Sequence, residues 1–189
     1  MNIETIINST LSIKTFRKEE DVSLIKGKEV KGFTLEDKEP LILHTNDEIP
    51  FVVFNQENHH YAALIIDTKM TLEETLLHFM EAFIKEEKAT PTNLFCYLGP
   101  SLTFSHTPVE RKVLLDVIKR GYQVAAKRTD KVDYLDLPIM NVAMLRKLGI
   151  PFSNITLSQY DTYEAEPLLY SALRGDKEKN VTLVKLLDK

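Results

Sequence analysis

Residues 40–67, PLILHTNDEIPFVVFNQENHHYAALIID, decide the fold. Three runs dense in apolar and β-branched residues, 40–45, 50–55 and 60–67, are separated by Asn46-Asp47-Glu48 and by the polar turn Gln56-Glu57-Asn58-His59. Runs this short, bounded by turn formers, read as buried strands, because a helix needs a longer segment with apolar residues three and four apart. Together the three predict a sheet core.

The period changes just beyond this stretch. Leu72, Leu76, Phe79, Met80 and Phe83 recur at helical spacing with glutamates between them, and Thr71 followed by Glu74 is a capping-box pattern, which predicts a helix over 71–88. Residues 93–98 read as a buried strand ended by Gly99-Pro100, and 101–106 as a loop. Thr107-Pro108-Val109-Glu110 places proline at a first helical position and predicts a helix running to Arg120, stopped by Gly121. A third helix is expected over 137–148, begun by Asp136 and stopped by Gly149, with strands at 122–126 and 154–157 around it. Residues 181–187 alternate like a closing strand, and 11–16 and 22–25 read as a peripheral hairpin before the sheet core. No repeat, linker or low-complexity stretch interrupts the chain, so 1–189 reads as a single domain whose residues 1–39 are the divergent part.

The chain has 24 basic and 28 acidic side chains, a formal charge of −4, which gives no electrostatic footprint for nucleic acid. Residues 1–14 lack the basic flank and continuous apolar run of a signal peptide, and no stretch reaches membrane-spanning length, so the expectation is a cytoplasmic protein with no membrane partner. The six glycines are scattered and form no phosphate-binding loop. A single cysteine, Cys96, lies mid-strand between Phe95 and Tyr97, where apolar surroundings keep a thiol inert and no disulfide within the chain is possible.

His44, Asp47 and Glu48 fall within five positions between two strands and place nitrogen and oxygen donors at one sheet end, although turn-forming Asn46 and Asp47 account for the polarity without a ligand. His59 and His60 are adjacent and read as solvated turn residues. His78 reads as a partly buried structural imidazole on the long helix, and His106 as a residue satisfying backbone groups at a helix start. Ser105 and Ser158 have no surrounding nucleophile-elbow glycines. Tyr160-Asp161-Thr162-Tyr163 with Arg174 is an aromatic and arginine cluster suited to a planar polar ligand, or an ordinary surface loop.

The order of segments resembles the YfiH-like, or laccase-domain, family of polyphenol oxidases and purine nucleoside phosphorylases. The resemblance is carried by Leu98-Gly99-Pro100, Gly121-Tyr122, Tyr134-Leu135-Asp136-Leu137 with Asn141 and Leu145, Gly149-Ile150-Pro151, Asn154-Ile155, Asp161-Thr162-Tyr163, and Ser171 with Arg174. It extends from about residue 40 to the C-terminus and implies an α+β fold, a layered α/β/β/α sandwich with mixed sheets. The family binds zinc through a histidine of Q-V-H-G, the cysteine of T-A-D-C-x-P and the histidine of H-A-G-W-R-G. On this chain the second motif falls on Thr45-Asn46-Asp47-Glu48-Ile49-Pro50 and the third on Ile66-Asp67-Thr68-Lys69-Met70-Thr71, so the ligand positions hold Glu48 and Ile66. Q-V-H-G is absent, and Asp161 and Glu164 replace the cysteines of C-T-Y-C.

The resemblance therefore implies a degenerate member with no zinc or copper cofactor, acting in binding a small molecule or protein. The candidate cleft is His44, Asp47, Glu48, Asp67, Asp161 and Arg174, with no metal ligands assigned. The alternative is a metal-dependent purine nucleoside phosphorylase or deaminase rebuilt around Glu48 and Asp67, with His44 as a further donor. A third possibility is a structural subunit of a larger assembly, in line with the poor match before residue 40.

Overall fold

The computed structural model describes residues 3–187; residues 1, 2, 188 and 189, the ends of the expected domain, lie outside them. In chain order the strands are β1 (Ile3–Ile7), β2 (Leu11–Thr15), β3 (Lys28–Glu29), β4 (Thr34–Glu36), β5 (Leu41–Thr45), β6 (Ile49–Asn55), β7 (Tyr61–Ile66), β8 (Leu94–Leu98), β9 (Pro108–Val109), β10 (Ala126–Arg128), β11 (Asp133–Leu135), β12 (Ile155–Leu157) and β13 (Asn180–Leu186). The helices are α1 (Thr68–Leu72), α2 (Thr75–Glu87), α3 (Arg111–Lys119) and α4 (Leu137–Lys147). The class is α+β, and none of these helices is long and apolar enough to cross a membrane.

The decisive stretch forms its three strands but divides them between two sheets. β6 and β7 pair antiparallel in the sheet ordered β12-β8-β6-β7-β4, whereas β5 belongs to the sheet ordered β1-β2-β13-β5-β3. The turn at Asn46-Asp47-Glu48 carries the chain from one to the other. Both sheets are mixed, since one edge strand in each runs parallel to its neighbour, β3 to β5 and β12 to β8. A small antiparallel sheet, β10-β11-β9, lies apart from them.

Strand period explains the layering. Side chains alternate across a strand, and one covered on both faces reads as a continuous apolar run. Along β6, Phe51 and Val53 join a core with Leu76, Met80 and Phe83 of α2 and Met140, Met144 and Leu145 of α4. Val52 and Phe54, between them in sequence, join a second core with Leu11, Ile13, Leu41, Leu43 and Val184 of the first sheet. The order is thus first sheet, second sheet, helices. A helical layer on the far side of the first sheet is not among the described residues.

Four local expectations are corrected. Residues 22–25 form a turn, with Val22 and Leu24 exposed. The helix expected over 71–88 is two helices broken at Glu73 and Glu74. Asp67, not Thr71, caps the first, its carboxylate accepting from the Met70 N–H at 2.7 Å. Pro108 sits in β9, so α3 starts only at Arg111, because Thr107 turns inward to donate to the Leu135 carbonyl. Residues 123–125 are a 3₁₀ turn leading into the short β10. The Asp136 cap of α4 is as expected, accepting from the Ile139 N–H at 3.0 Å.

The break between α1 and α2 has an identifiable hub. Glu74 adopts φ 56°, a left-handed conformation that costs a non-glycine residue about 1 kcal/mol. Its carboxylate accepts from the Tyr122 hydroxyl and, at 3.1 Å, from Arg120. Arg120 also donates to the Leu72 carbonyl at 2.9 Å. These bonds hold a conformation that the backbone alone disfavours. Tyr122→Phe removes the hydroxyl with little change of shape and is expected to cost about 2 kcal/mol in a urea unfolding titration, consistent with a hydrogen bond to a charged group.

Candidate functional site

The β6–β7 register brings the two mapped ligand positions together. Ile49 lies opposite Ile66, so Glu48, one residue before β6, stands beside the end of β7. Asp47, Glu48, Ile66 and Asp67 all line one cavity of about 210 Å³, bounded also by Leu102 and Leu137. Leu102 is delivered by the bend at Gly99, where a Cβ would stand 2.5 Å from Cγ of Pro50; Gly99 N–H donates to the Pro50 carbonyl at 2.9 Å. Glycine is required there by this close approach.

Each carboxylate of the cavity accepts a backbone N–H. Glu48 accepts from the Asn46 N–H at 2.8 Å, and Asp67 is the α1 cap. Asp47 accepts from the Thr162 hydroxyl at 2.7 Å and from the Leu173 N–H at 2.8 Å, tying the loop after β12 to the turn before β6. Ile66 is 1% exposed and offers no donor atom.

His44 does not join this cavity. It lies on β5, 3.0 Å from Glu29, and is not among the lining residues. Asp161 anchors a separate junction. One of its oxygens accepts from the Thr103 N–H at 2.8 Å and hydroxyl at 2.6 Å and lies 3.0 Å from Nδ1 of His106; the other accepts from the N–H groups of Tyr163 and Glu164. Burial alone would raise this carboxyl, but the bonds from Thr103, His106 and Glu164 hold it below the ordinary aspartate value. Arg174 donates to the carbonyls of Thr162, Tyr163 and Leu169 and to Asp176. Both residues therefore fix the shape of the loop around 158–176, and of the Arg174 guanidinium only the buried Nε is left without a partner.

His106 bonds a carboxylate rather than local backbone, and stacks at a tilt on Tyr163 with 4.5 Å between ring centres. His78 is exposed, not partly buried. His60 lies 2.7 Å from Glu87, and His59 occupies the turn with φ 63°. Cys96 is fully buried, which pushes its thiol far above the ordinary range. The part of the site that the sequence reading missed is the Thr103–His106–Asp161 junction. Only its Asp161 end had a local signal, since an aspartate bonding backbone N–H groups two and three residues on is a recurrent turn pattern, whereas Thr103 and His106 lie 55 or more residues away in sequence.

The profile of the multi-copper polyphenol oxidoreductase laccase family matches residues 25–184. That match spans well over half of the chain, and the chain belongs to that family. It is 27% identical over 115 residues to the purine nucleoside phosphorylase YlmD of Bacillus subtilis, an alignment covering 59% of this chain and 41% of that protein. YlmD of Geobacillus stearothermophilus superposes with a TM-score of 0.74 at 19% identity, covering 83% of this chain and 61% of the other. The Bacillus licheniformis protein YfiH gives the same TM-score and identity, covering 84% and 62%. The chain thus spans less than two thirds of the length of these relatives.

Zinc or copper, the metals of the family's chemistry, do not fit the donors at the two mapped positions. Ile66 is hydrocarbon, and the Glu48 carboxylate is turned back onto its own turn. A tetrahedral zinc site needs three or four sulfur, imidazole or carboxylate donors. Among the described residues no group of three histidines, cysteines, aspartates or glutamates is arranged to hold a metal ion.

Proposed function

We propose that this chain is a laccase-domain protein without the family's metal chemistry, acting in binding rather than catalysis. The observation that carries the reading is the juxtaposition at the cavity. The two mapped positions meet, as a shared site requires, and are filled by a buried isoleucine and a carboxylate already bonded to backbone. The cavity volume, about 210 Å³, is below the roughly 300–1,000 Å³ usual for small-molecule sites, which speaks against nucleoside turnover in it. A purine nucleoside would need this cavity to open. The occupant of the protein is on this reading a small molecule or a protein, not nucleic acid.

The competing reading, a purine nucleoside-processing site rebuilt around Glu48 and Asp67, draws on one specific observation, that both carboxylates line the same cavity. It also draws on the name of the B. subtilis relative. Two carboxylates bound to backbone amides leave a hard cation short of the six or more oxygens it takes. Equilibrium dialysis against zinc, copper and manganese, followed by metal analysis, separates the readings. Less than about 0.1 equivalent bound is expected; one equivalent, lost in Glu48→Ala, would favour the rebuilt enzyme.

A further inference from the structure

We propose that the groove over the outer side of α4 is a docking surface for an acidic, amphipathic segment of a partner protein. The groove encloses about 600 Å³ and shares no lining residue with the cavity at Glu48, so the proposal stands whether or not chemistry survives there. Its floor is apolar, formed by Ile139 and Ala143 of α4, four residues apart and hence on one side of the helix. Its walls are Val124, from the 3₁₀ turn Gln123–Ala125, and Phe152, from the 3₁₀ turn Phe152–Asn154. Both wall residues are 67% exposed, the most solvated of the protein's large apolar side chains after Leu24 among the described residues.

The last turn of α4 gives the groove a charge. Arg146 is held by a bond from Nη1 to the Ile150 carbonyl at 2.5 Å. Lys147 donates to the Arg120 carbonyl at 3.1 Å and lies 3.5 Å from the centre of the Tyr122 ring. Neither is ion-paired to a carboxylate among the described residues. Glu74, the carboxylate that feels the Lys147 charge, is itself bonded to Tyr122 and Arg120. Two cations are therefore fixed in place at one end of an apolar trough, neither in an ion pair with a carboxylate among the described residues.

That combination selects the occupant. A small-molecule site buries most of its ligand's surface, and walls that are themselves two-thirds solvated do not enclose one. A phosphate backbone gains nothing from an apolar floor flanked by only two cations. An amphipathic helix laid in the groove seats apolar residues between Val124 and Phe152, as aromatic anchors at protein interfaces commonly do, and turns aspartates or glutamates toward Arg146 and Lys147.

Panning a random peptide library displayed on phage against the whole protein tests this, with the Phe152→Ser protein panned in parallel and its urea midpoint checked to confirm folding. The expected result is enrichment of peptides with apolar residues at three- and four-residue spacing flanked by Asp or Glu. Synthetic versions should bind at least tenfold more weakly to Phe152→Ser, and at least threefold more weakly when the salt is raised from 50 to 300 mM. No enrichment over the variant, or enriched peptides lacking acidic residues, would overturn the proposal. So would saturable binding of dodecanoate that Phe152→Ser abolishes, which assigns the groove to a small molecule, or a wild-type dimer in sedimentation that this substitution dissociates, which assigns it to a second copy.

Discussion

Asp161→Ala is expected to lower the free energy of unfolding by about 3 kcal/mol, and Tm by roughly 9 °C at this chain length. The residue is 6% exposed and accepts bonds from Thr103 and from the Tyr163 and Glu164 amides, with His106 in contact, so its loss leaves several donors facing a void. Urea titration at pH 7 gives the size of the effect, and acid titration identifies its origin. The folded-state pKa is below the ordinary 3.8 of the unfolded chain, so the unfolded state takes up the proton first on acidification. The contribution is full above about pH 4 and is lost as the pH falls through the folded value. Asp176 adds to the same window, being brought down to about 2 by the Ser171 N–H bond and then by Arg174 and Lys18. Wild type should therefore lose stability more steeply than Asp161→Ala below pH 4. Parallel acid limbs would show that the carboxylate is not the anchor of the two loops.

Phe51→Ala is expected to cost about 4 kcal/mol, in the middle of the range for truncation of a core aromatic. Phe51 is fully buried on β6 and meets Phe79 of α2 edge to face with 6.1 Å between ring centres. The strand is covered on both sides, so neither the second sheet nor α2 can close in without disturbing the other core. Leu115→Ala, on the exposed side of α3, serves as the control and should change stability by less than about 0.5 kcal/mol. Similar losses at the two positions would contradict the layer order.

What the sequence revealed follows from which interactions are local. The apolar runs at 51–54 and 61–66 announce strands covered on both faces, and the caps and stops of α4 announce that helix, because each signal lies within a few residues of the structure it specifies. Where long-range contacts prevail, the reading departs from the structure. Glu74 looked like the partner of a capping threonine, yet its bonds go to Arg120 and Tyr122, nearly fifty residues away, and the helix breaks to make them. β5 looked like a sheet neighbour of β6, but β13, about 140 residues on, claims it. The candidate cleft divides in the same way. Glu48, Ile66, Asp47 and Asp67 meet because strands β6 and β7 are consecutive and their register follows from the short turn between them. His44, Asp161 and Arg174 go elsewhere because their partners, Glu29, Thr103 and the carbonyls of Thr162 and Leu169, carry no sequence signature that names them.

On the proposed reading the fold has been kept while the family's metal chemistry at Glu48 and Ile66 has been lost. The most direct measurement is turnover of adenosine and inosine by the purified protein, with phosphate present and with zinc or copper added, followed by chromatography of nucleoside and base. No product above the protein-free control is expected under any of these conditions. Sustained multiple turnover that disappears in Glu48→Ala, with the urea midpoint of that variant unchanged, would contradict it.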